Sequence, residues 1–460
     1  MKPDKEPQFI SRRQFLTATA AAVGGLTLAA CGASRTSGGA ATTTPATGPA
    51  ATAASAAATV APAPAGAAGQ TKIDAWFWDD SFRPVVNTFN KKQDKIRVNF
   101  AKVGYDDTHK RLLTSLAAGT GAPDTCAIEI GYVATFTGKG GLVDLLQPPY
   151  DAGQYKNDLV AFQWAQGSSP EGRLVCMPWA IGPSGLMYRE DLFSQAGLET
   201  DPEKLQARIK TWDDWFQLGE DLKKKRPNMA LVADAFTDIF TPLVEQQGHG
   251  WFTKAGELDY QKALKPLQRS VEARKRGVDA KIDWWGAEWN TGLKKNAFAA
   301  LMGPCWMQGS LNTNAPEFNG KWRAIHAPEG DYNVGGSFWS IPQQGKHKEA
   351  AWEFLKFACV TAEGGNLNFT SQGALPAYRP AWKDPLYEQP IAFYGGQKAY
   401  RLWAEIGDKV PPLPVNPNDR EANDIISNEI TKVKKQGKDP AKAVEDATAE
   451  AKRRIRGLKS

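Results

Sequence analysis

From Ile73 onward the chain alternates between two hydrophobic periods. The unbroken apolar run "IDAWFW" (Ile73 to Trp78) predicts a buried strand, ended by the acidic turn Asp79-Asp80. In "FRPVVNTFNKKQ" the residues Val85, Val86 and Phe89 share one helical face, and "IRVNFAKV" returns to a strand. The stretch "DTHKRLLTSLAAGTGAPD" then predicts a helix closed by Gly119 and Gly121, followed by the small-residue strand "TCAIEI". This β-α-β-α-β order predicts an α/β fold with a parallel sheet flanked by helices.

Further along, "RLVCMPWA" predicts one strand, and "GLMYREDLFSQAGL" a second strand running into a short helix stopped by Gly197. "TWDD" (Thr211 to Asp214) has the spacing of a capping box, which starts a helix ending before Pro227. "LKKNAFAALMGPCWMQGSL" passes from helix to strand at Gly303-Pro304, and "NVGGSFWSIP" reads as a strand with a glycine pair at its start. "HKEAAWEFLKFAC" has helical spacing. The tail from Asn423 to Ile455 reads as two amphipathic helices joined near "GKDP", with basic residues in the last turn where the helix dipole favours them.

The beginning of the chain follows neither period. In "SRRQFLTATAAAVGGLTLAACG" an arginine pair, Arg12 and Arg13, precedes an apolar run from Ala18 to Ala30, shorter than the roughly 20 residues a membrane-spanning helix needs. That is the form of an export signal. The Ser-Arg-Arg-x-Phe-Leu order resembles the twin-arginine signal. Leu28-Ala29-Ala30-Cys31 resembles a bacterial lipobox, which implies lipid on Cys31. Residues 1–31 are thus expected to be a signal peptide with lipobox. Residues 32–70 contain almost only Ala, Thr, Gly, Pro and Ser, with Arg35 the only charge, and form an expected flexible linker with a mean reach of about 35 Å. The expected location is outside the cytoplasmic membrane or in the periplasm, held by the lipid.

Composition narrows the remainder. The chain has 460 residues, of which roughly 390 follow the linker, enough for more than one lobe. The net charge is +6, and four basic and two acidic residues precede Cys31, so about +4 remains, too little on this surface to argue for nucleic acid. Cys126, Cys176, Cys305 and Cys359 permit two disulfides or four buried thiols, and their spacing lacks the CxxC metal signature. His109, His249, His326 and His347 are scattered without ligand spacing, and no metal or cofactor is expected. "GPSGL" lacks the spacing of a nucleophile elbow, and neither a phosphate loop nor an HExxH helix occurs. Sixteen tryptophans exceed what a core readily absorbs and hint at a ligand with flat apolar faces.

Several segments in sequence resemble the extracellular solute-binding proteins of bacterial ABC importers, in particular the large sugar-binding group that includes maltose-binding proteins. They are "WFWDD", "GAPDTCAIEIGYVATFTGKGGLVDL", "PWAIGPSGLMYREDLFSQAGL", "TWDDW", "AFAALMGPCWM", "GGSFWSIP" with "AAWEFLKF" behind it, and the C-terminal helix pair. The resemblance covers nearly everything from Lys72 onward. It implies a two-lobed periplasmic-binding-protein fold of the maltose-binding type with ligand in the cleft between lobes. Lobe I would hold residues 71–181 and 337–376, and lobe II residues 182–336 and 377–460. The crossings fall near Ala180 to Ser184, Gly335 to Ser337 and Ala374 to Tyr378.

The resemblance also implies a binding set. Trp78, Asp79 and Asp80 stand where the family places first-lobe contacts, and Glu129 and Tyr132 occupy a second such turn. Trp306 is expected to present a stacking face from the second lobe, although Cys305 stands where some members carry the aromatic. Trp285 is the candidate from the cluster Trp284, Trp285 and Trp289; Thr237 and Asp238 match a second-lobe polar contact. Trp339, behind the glycine pair, is expected either to line the cleft or to pack under it, and Trp179 and Arg379 lie beside predicted hinges. Aromatic platforms with planar polar groups suit a sugar or oligosaccharide. The expected activity is therefore capture of a sugar and delivery to ABC permease subunits by a monomer without catalysis. Two alternatives remain at this point: a non-sugar solute, namely a polyamine, whose cations carboxylates and aromatic walls also suit, a metal chelate or a peptide, and a tethered carbohydrate-active enzyme using Asp79 or Asp80 with Glu129.

Overall fold

A computed structural model describes residues 69–248, 250–253, 255–410 and 416–458. Arg12, Arg13, the lipobox with Cys31 and linker residues 32–68 lie outside the described residues, as does His249.

The alternation of periods is realised as one mixed sheet of eight strands. They are β1 (Thr71–Phe77), β2 (Ile96–Lys102), β3 (Thr125–Glu129), β4 (Met177–Arg189), β5 (Ala300–Pro304), β6 (Trp322–Ile325), β7 (Tyr332–Ser340) and β8 (Leu375–Pro376). The main path runs β2-β1-β3-β7-β4-β5, with β6 and β8 also pairing to β4. Only β2, β1 and β3 are mutually parallel, as the β-α-β-α-β order predicts. The pairings of β7 with β3 and of β4 with β5, β6, β7 and β8 are antiparallel.

Among the described residues, helices of eight or more residues are numbered α1 to α11. They are α1 (Arg83–Lys92), α2 (Tyr105–Ala118), α3 (Ile130–Thr137), α4 (Trp212–Lys225), α5 (Leu264–Lys275), α6 (Met307–Asn314), α7 (Lys348–Val360), α8 (Ala362–Gln372), α9 (Ala399–Lys409), α10 (Asp419–Gln436) and α11 (Pro440–Arg454). Local chemistry sets several ends. Gly119 closes α2 in the left-handed region at φ +72°. The Thr211 and Asp214 side chains bond each other's backbone N–H at the start of α4, completing the capping box.

Two expectations change. The two strands separated at "GPSG" are a single 13-residue strand, β4, buried along its whole length, and Arg173 to Cys176 lie outside it. Pro183 lacks an N–H, but it falls where the β4–β7 register shifts between Ile181 and Pro183, so no regular ladder bond is lost. The side chain of Asn333 accepts from Gly182 N at 2.9 Å at the same place. The glycine pair of β7 sits mid-strand rather than at its start.

Buried apolar side chains form two clusters. The larger one surrounds β1, β3 and the near end of β4, with Val85 and Phe89 of α1 and Phe354 of α7, and continues through Trp322 to Trp403. The second lies around Leu186 and Tyr188 at the far end of β4, with Trp212 and Trp215 of α4, Leu267 of α5, Ile426 of α10 and Val444 of α11. No helix among the described residues is long and apolar enough to cross a membrane. Cys126, Cys176, Cys305 and Cys359 are buried free thiols. Burial holds each of the four thiols above its ordinary pKa.

Candidate functional site

A cleft of about 680 Å³ opens at the carboxyl ends of β1, β2 and β3. Ligands of open α/β sheets gather at such strand ends. Trp78, Asp79, Asp80, Lys102, Tyr105 and Glu129 line one side; Trp306, Trp285 and Gly309, Ser310, Thr313 and Asn314 of α6 line the other. Ala180 and Ile181 of β4 with Gly335 to Ser337 of β7 form the floor between them.

On the first wall, β1 ends at Phe77, whose ring stacks on Trp78 with centroids 4.0 Å apart. Trp78 lies nearly parallel to His109 at 5.9 Å, and His109 stacks on Tyr132 at 3.9 Å and 6°. Arg420 of α10 covers the Tyr132 ring at 4.9 Å. His109 sits in this pile as a neutral ring, because burial drives its pKa down to about 4. Its Nε2 accepts from Glu129 N at 3.0 Å, which assigns the proton to Nδ1, 2.7 Å from the Tyr105 carbonyl. Glu129 caps α3 by accepting from Gly131 N at 2.7 Å and also accepts from the Tyr105 hydroxyl at 2.6 Å.

The two aspartates differ. Asp80 is half exposed, and hydrogen bonds from Lys102 at 2.9 Å and Arg83 at 2.6 Å hold its carboxyl below the usual range. Asp79 is mostly buried, and that burial raises its pKa despite hydrogen bonds from Ser81 N and Oγ.

On the second wall, Trp306 precedes α6 and its indole N–H donates to the Val334 carbonyl at 2.9 Å. It rests against backbone without side chains: a Cβ at Gly182 or Gly335 would come within 2.9 Å or 3.1 Å of Trp306 Nε1. Gly335 and Gly336 have φ of +83° and +140°, conformations that glycine alone adopts readily. Trp285 is also held in the left-handed region, at φ +65°, a strain of about 1–3 kcal/mol for such a side chain. Trp284 meets it edge-on at 5.7 Å and Trp289 lies at 5.3 Å, so surrounding rings maintain it.

Of the residues expected from sequence, Trp78, Asp79, Asp80, Glu129, Trp285 and Trp306 thus meet in one cleft. The others lie elsewhere. Tyr132 is one ring behind the wall, bonded to Asp106 at 2.8 Å. Trp179 and Trp339 are core residues, 1% and 0% exposed, packed on Phe82 at 4.8 and 4.7 Å. They lie side by side on neighbouring strands, since the register pairs Met177 with Trp339, and they face the core with Phe354 of α7. Arg379 lines a separate recess, where it pairs with Asp408 at 3.2 Å. Thr237 donates to Asp234 at 2.9 Å. Asp238 is fully buried and reaches the wall only indirectly, accepting from Trp284 Nε1 at 2.9 Å.

Sequence reasoning missed Tyr105 and the polar face of α6, Ser310, Thr313 and Asn314. Both carried a signal: Tyr105 opens a helix just after a strand end, and the α6 residues have i, i+3, i+4 spacing. Among the described residues no three His, Cys, Asp or Glu side chains come together as a metal site.

Asp238 yields a pH prediction. Complete burial outweighs the N–H donors of Asp234, Met302 and Trp284 and raises its pKa to about 7 from an ordinary 3.8. The native state therefore binds a proton there that the unfolded chain releases near 3.8. The associated stability is fully present below about pH 4 and is lost as pH rises through about 7. Urea unfolding of wild type and Asp238→Asn between pH 4 and 8 is expected to show a steeper decline in wild type, the decline left in the variant coming from Asp419, whose burial raises its pKa to about 6. Equal slopes would assign the titration to another group.

Residues 85–393 match the family of bacterial extracellular solute-binding proteins. The chain is 25% identical over 418 residues to the arabinooligosaccharide-binding protein of Bacillus subtilis, covering 85% of this chain and 94% of that one. It is 26% identical over 377 residues to the lactose-binding protein of Rhizobium radiobacter, covering 76% and 84% respectively. Its fold is similar to the solved structure of the sugar-binding protein MalE of Xanthomonas citri, with a TM-score of 0.68, 19% identity and coverage of 84% of this chain and 98% of that one.

Proposed function

Because the chain belongs to the bacterial extracellular solute-binding proteins, we propose that it captures a sugar or oligosaccharide in the cleft and delivers it to the permease subunits of an ABC importer. One observation carries this reading: Trp78 and Trp306 line the same cleft, together with carboxylate, hydroxyl and amide groups. Sugars present an apolar face and a hydroxyl rim, which such a pair of platforms and planar acceptors complements. The sugar-binding relatives support the same ligand class.

In this reading lobe I comprises residues 71–181 and 337–376 and lobe II residues 182–336 and 377–460, with ligand shifting the pair toward the closed form by its preference for it. The protein acts as a monomer, exported by the route that Arg12 and Arg13 select and held to the membrane by lipid on Cys31. No catalysis is required, and Glu129 is already engaged by Tyr105 and Gly131.

Calorimetric titration of the purified protein against mono- and oligosaccharides, with tryptophan fluorescence and product chromatography in parallel, tests this. Saturable one-to-one binding with a fluorescence change and no product is expected. Silence toward every sugar, or a cleaved product, overturns it.

A further inference from the structure

The charges around the cleft are unevenly compensated. Three carboxylates line it, Asp79, Asp80 and Glu129, against one cation, Lys102. Lys102 is taken up by Asp80, which Arg83 also binds. Glu129 receives a hydroxyl and a backbone N–H. Asp79 has no ion-pair partner within 4 Å among the described residues, and both of its recorded hydrogen bonds, from Ser81, fall on Oδ1. Ser81 Oγ is itself bonded by Gln372 of α8, so this side of the carboxylate is fixed. Hydrogen bonds on one oxygen, and a nearest cation, Lys102, that lies beyond ion-pair distance and is bound to Asp80, leave Asp79 as the acceptor that a ligand completes. Its pKa is raised because burial outweighs the Ser81 hydrogen bonds and the more distant attraction of Lys102.

The surroundings suit a cation beyond that one oxygen. Trp285 and Trp306 line the same cleft as Trp78, and an ammonium that reaches an indole face there gains further when desolvated. A carboxylate in the same place would meet Asp79 and Glu129 with no uncommitted Lys or Arg among the lining residues.

The geometry points to Asp79 as a charge-selecting residue, through which the cleft favours saccharides bearing a protonated amino group over neutral ones, and neutral ones over uronic acids. This rests on the sugar-binding reading above and adds the ligand's charge to it.

The test uses lactose and cellobiose, each as the neutral disaccharide, as its 2-amino-2-deoxy derivative and as its uronic acid, titrated calorimetrically into wild type and Asp79→Asn at pH 7. In wild type the amino form is expected to bind about tenfold tighter than the neutral parent, and the uronic acid about tenfold weaker. In Asp79→Asn the ratio of amino to neutral affinity should fall to about one. Asn retains an oxygen to accept from Ser81 N, so the turn keeps its cap; matching thermal melts check this, and the wild-type series decides independently of the variant. Equal binding of the three forms, or an unchanged order in Asp79→Asn, overturns the inference while leaving the sugar reading standing. Binding of none of the six overturns the inference, while the sugar reading falls only if the full panel of mono- and oligosaccharides is silent as well.

Discussion

Gly182→Ala is expected to abolish folding or lower stability by about 3 kcal/mol or more, the range for forcing atoms into a site that cannot relax. The added Cβ would lie 2.0 Å from the Val334 carbonyl oxygen, inside any permissible contact. Neither side can yield readily. Gly182 belongs to β4, buried throughout, and its N–H is held by Asn333. Val334 O already accepts the Trp306 indole. Urea unfolding measures the loss, and Gly140→Ala serves as control, because nothing lies within 4 Å of its added Cβ. A Gly182→Ala protein as stable as wild type would mean that β4 and β7 separate more easily than their pairing suggests.

The second large effect is expected at Trp306. Alanine there removes a half-buried indole from the cleft wall, and truncation of an aromatic anchor of this kind costs about 2 kcal/mol or more of binding, roughly 30-fold or more in Kd. Trp306→Phe separates two contributions, since it keeps an aromatic face but loses the N–H bond to Val334. Affinity between wild type and alanine is expected for it. Titration of a bound saccharide against all three proteins is the measurement; an unchanged Kd in Trp306→Ala removes this residue from the site.

The parts of the cleft legible in sequence are those tied to strand ends. Trp78 and Asp79 follow β1 directly, and Glu129 ends β3 while capping α3, so locating the strands located the residues. Trp179 as a cleft residue, and the choice between cleft and core for Trp339, were not legible for the opposite reason. They lie within strands, where the facing depends on register and on which helices cover the sheet, and no local pattern reveals that. Gly182-Pro183 read as a break because proline normally ends a ladder, whereas a register shift in the β4–β7 pairing absorbs it. Asp238 was legible as a polar residue of the second wall, but its place behind Trp284 depends on a contact 46 residues distant.

The continuity of β4 has a mechanical consequence. A strand hydrogen-bonded to neighbours near both ends, to β7 from Met177 and to β6 as far as Arg189, resists bending at a single point. Relative rotation of its two ends is then spread as torsion along the strand. The facing strand carries Gly335 and Gly336, whose backbones have more dihedral freedom than a residue with a side chain. The pair of strands resembles a torsion bar beside a compliant coupling, in which the bar sets the axis of rotation and the coupling its stiffness.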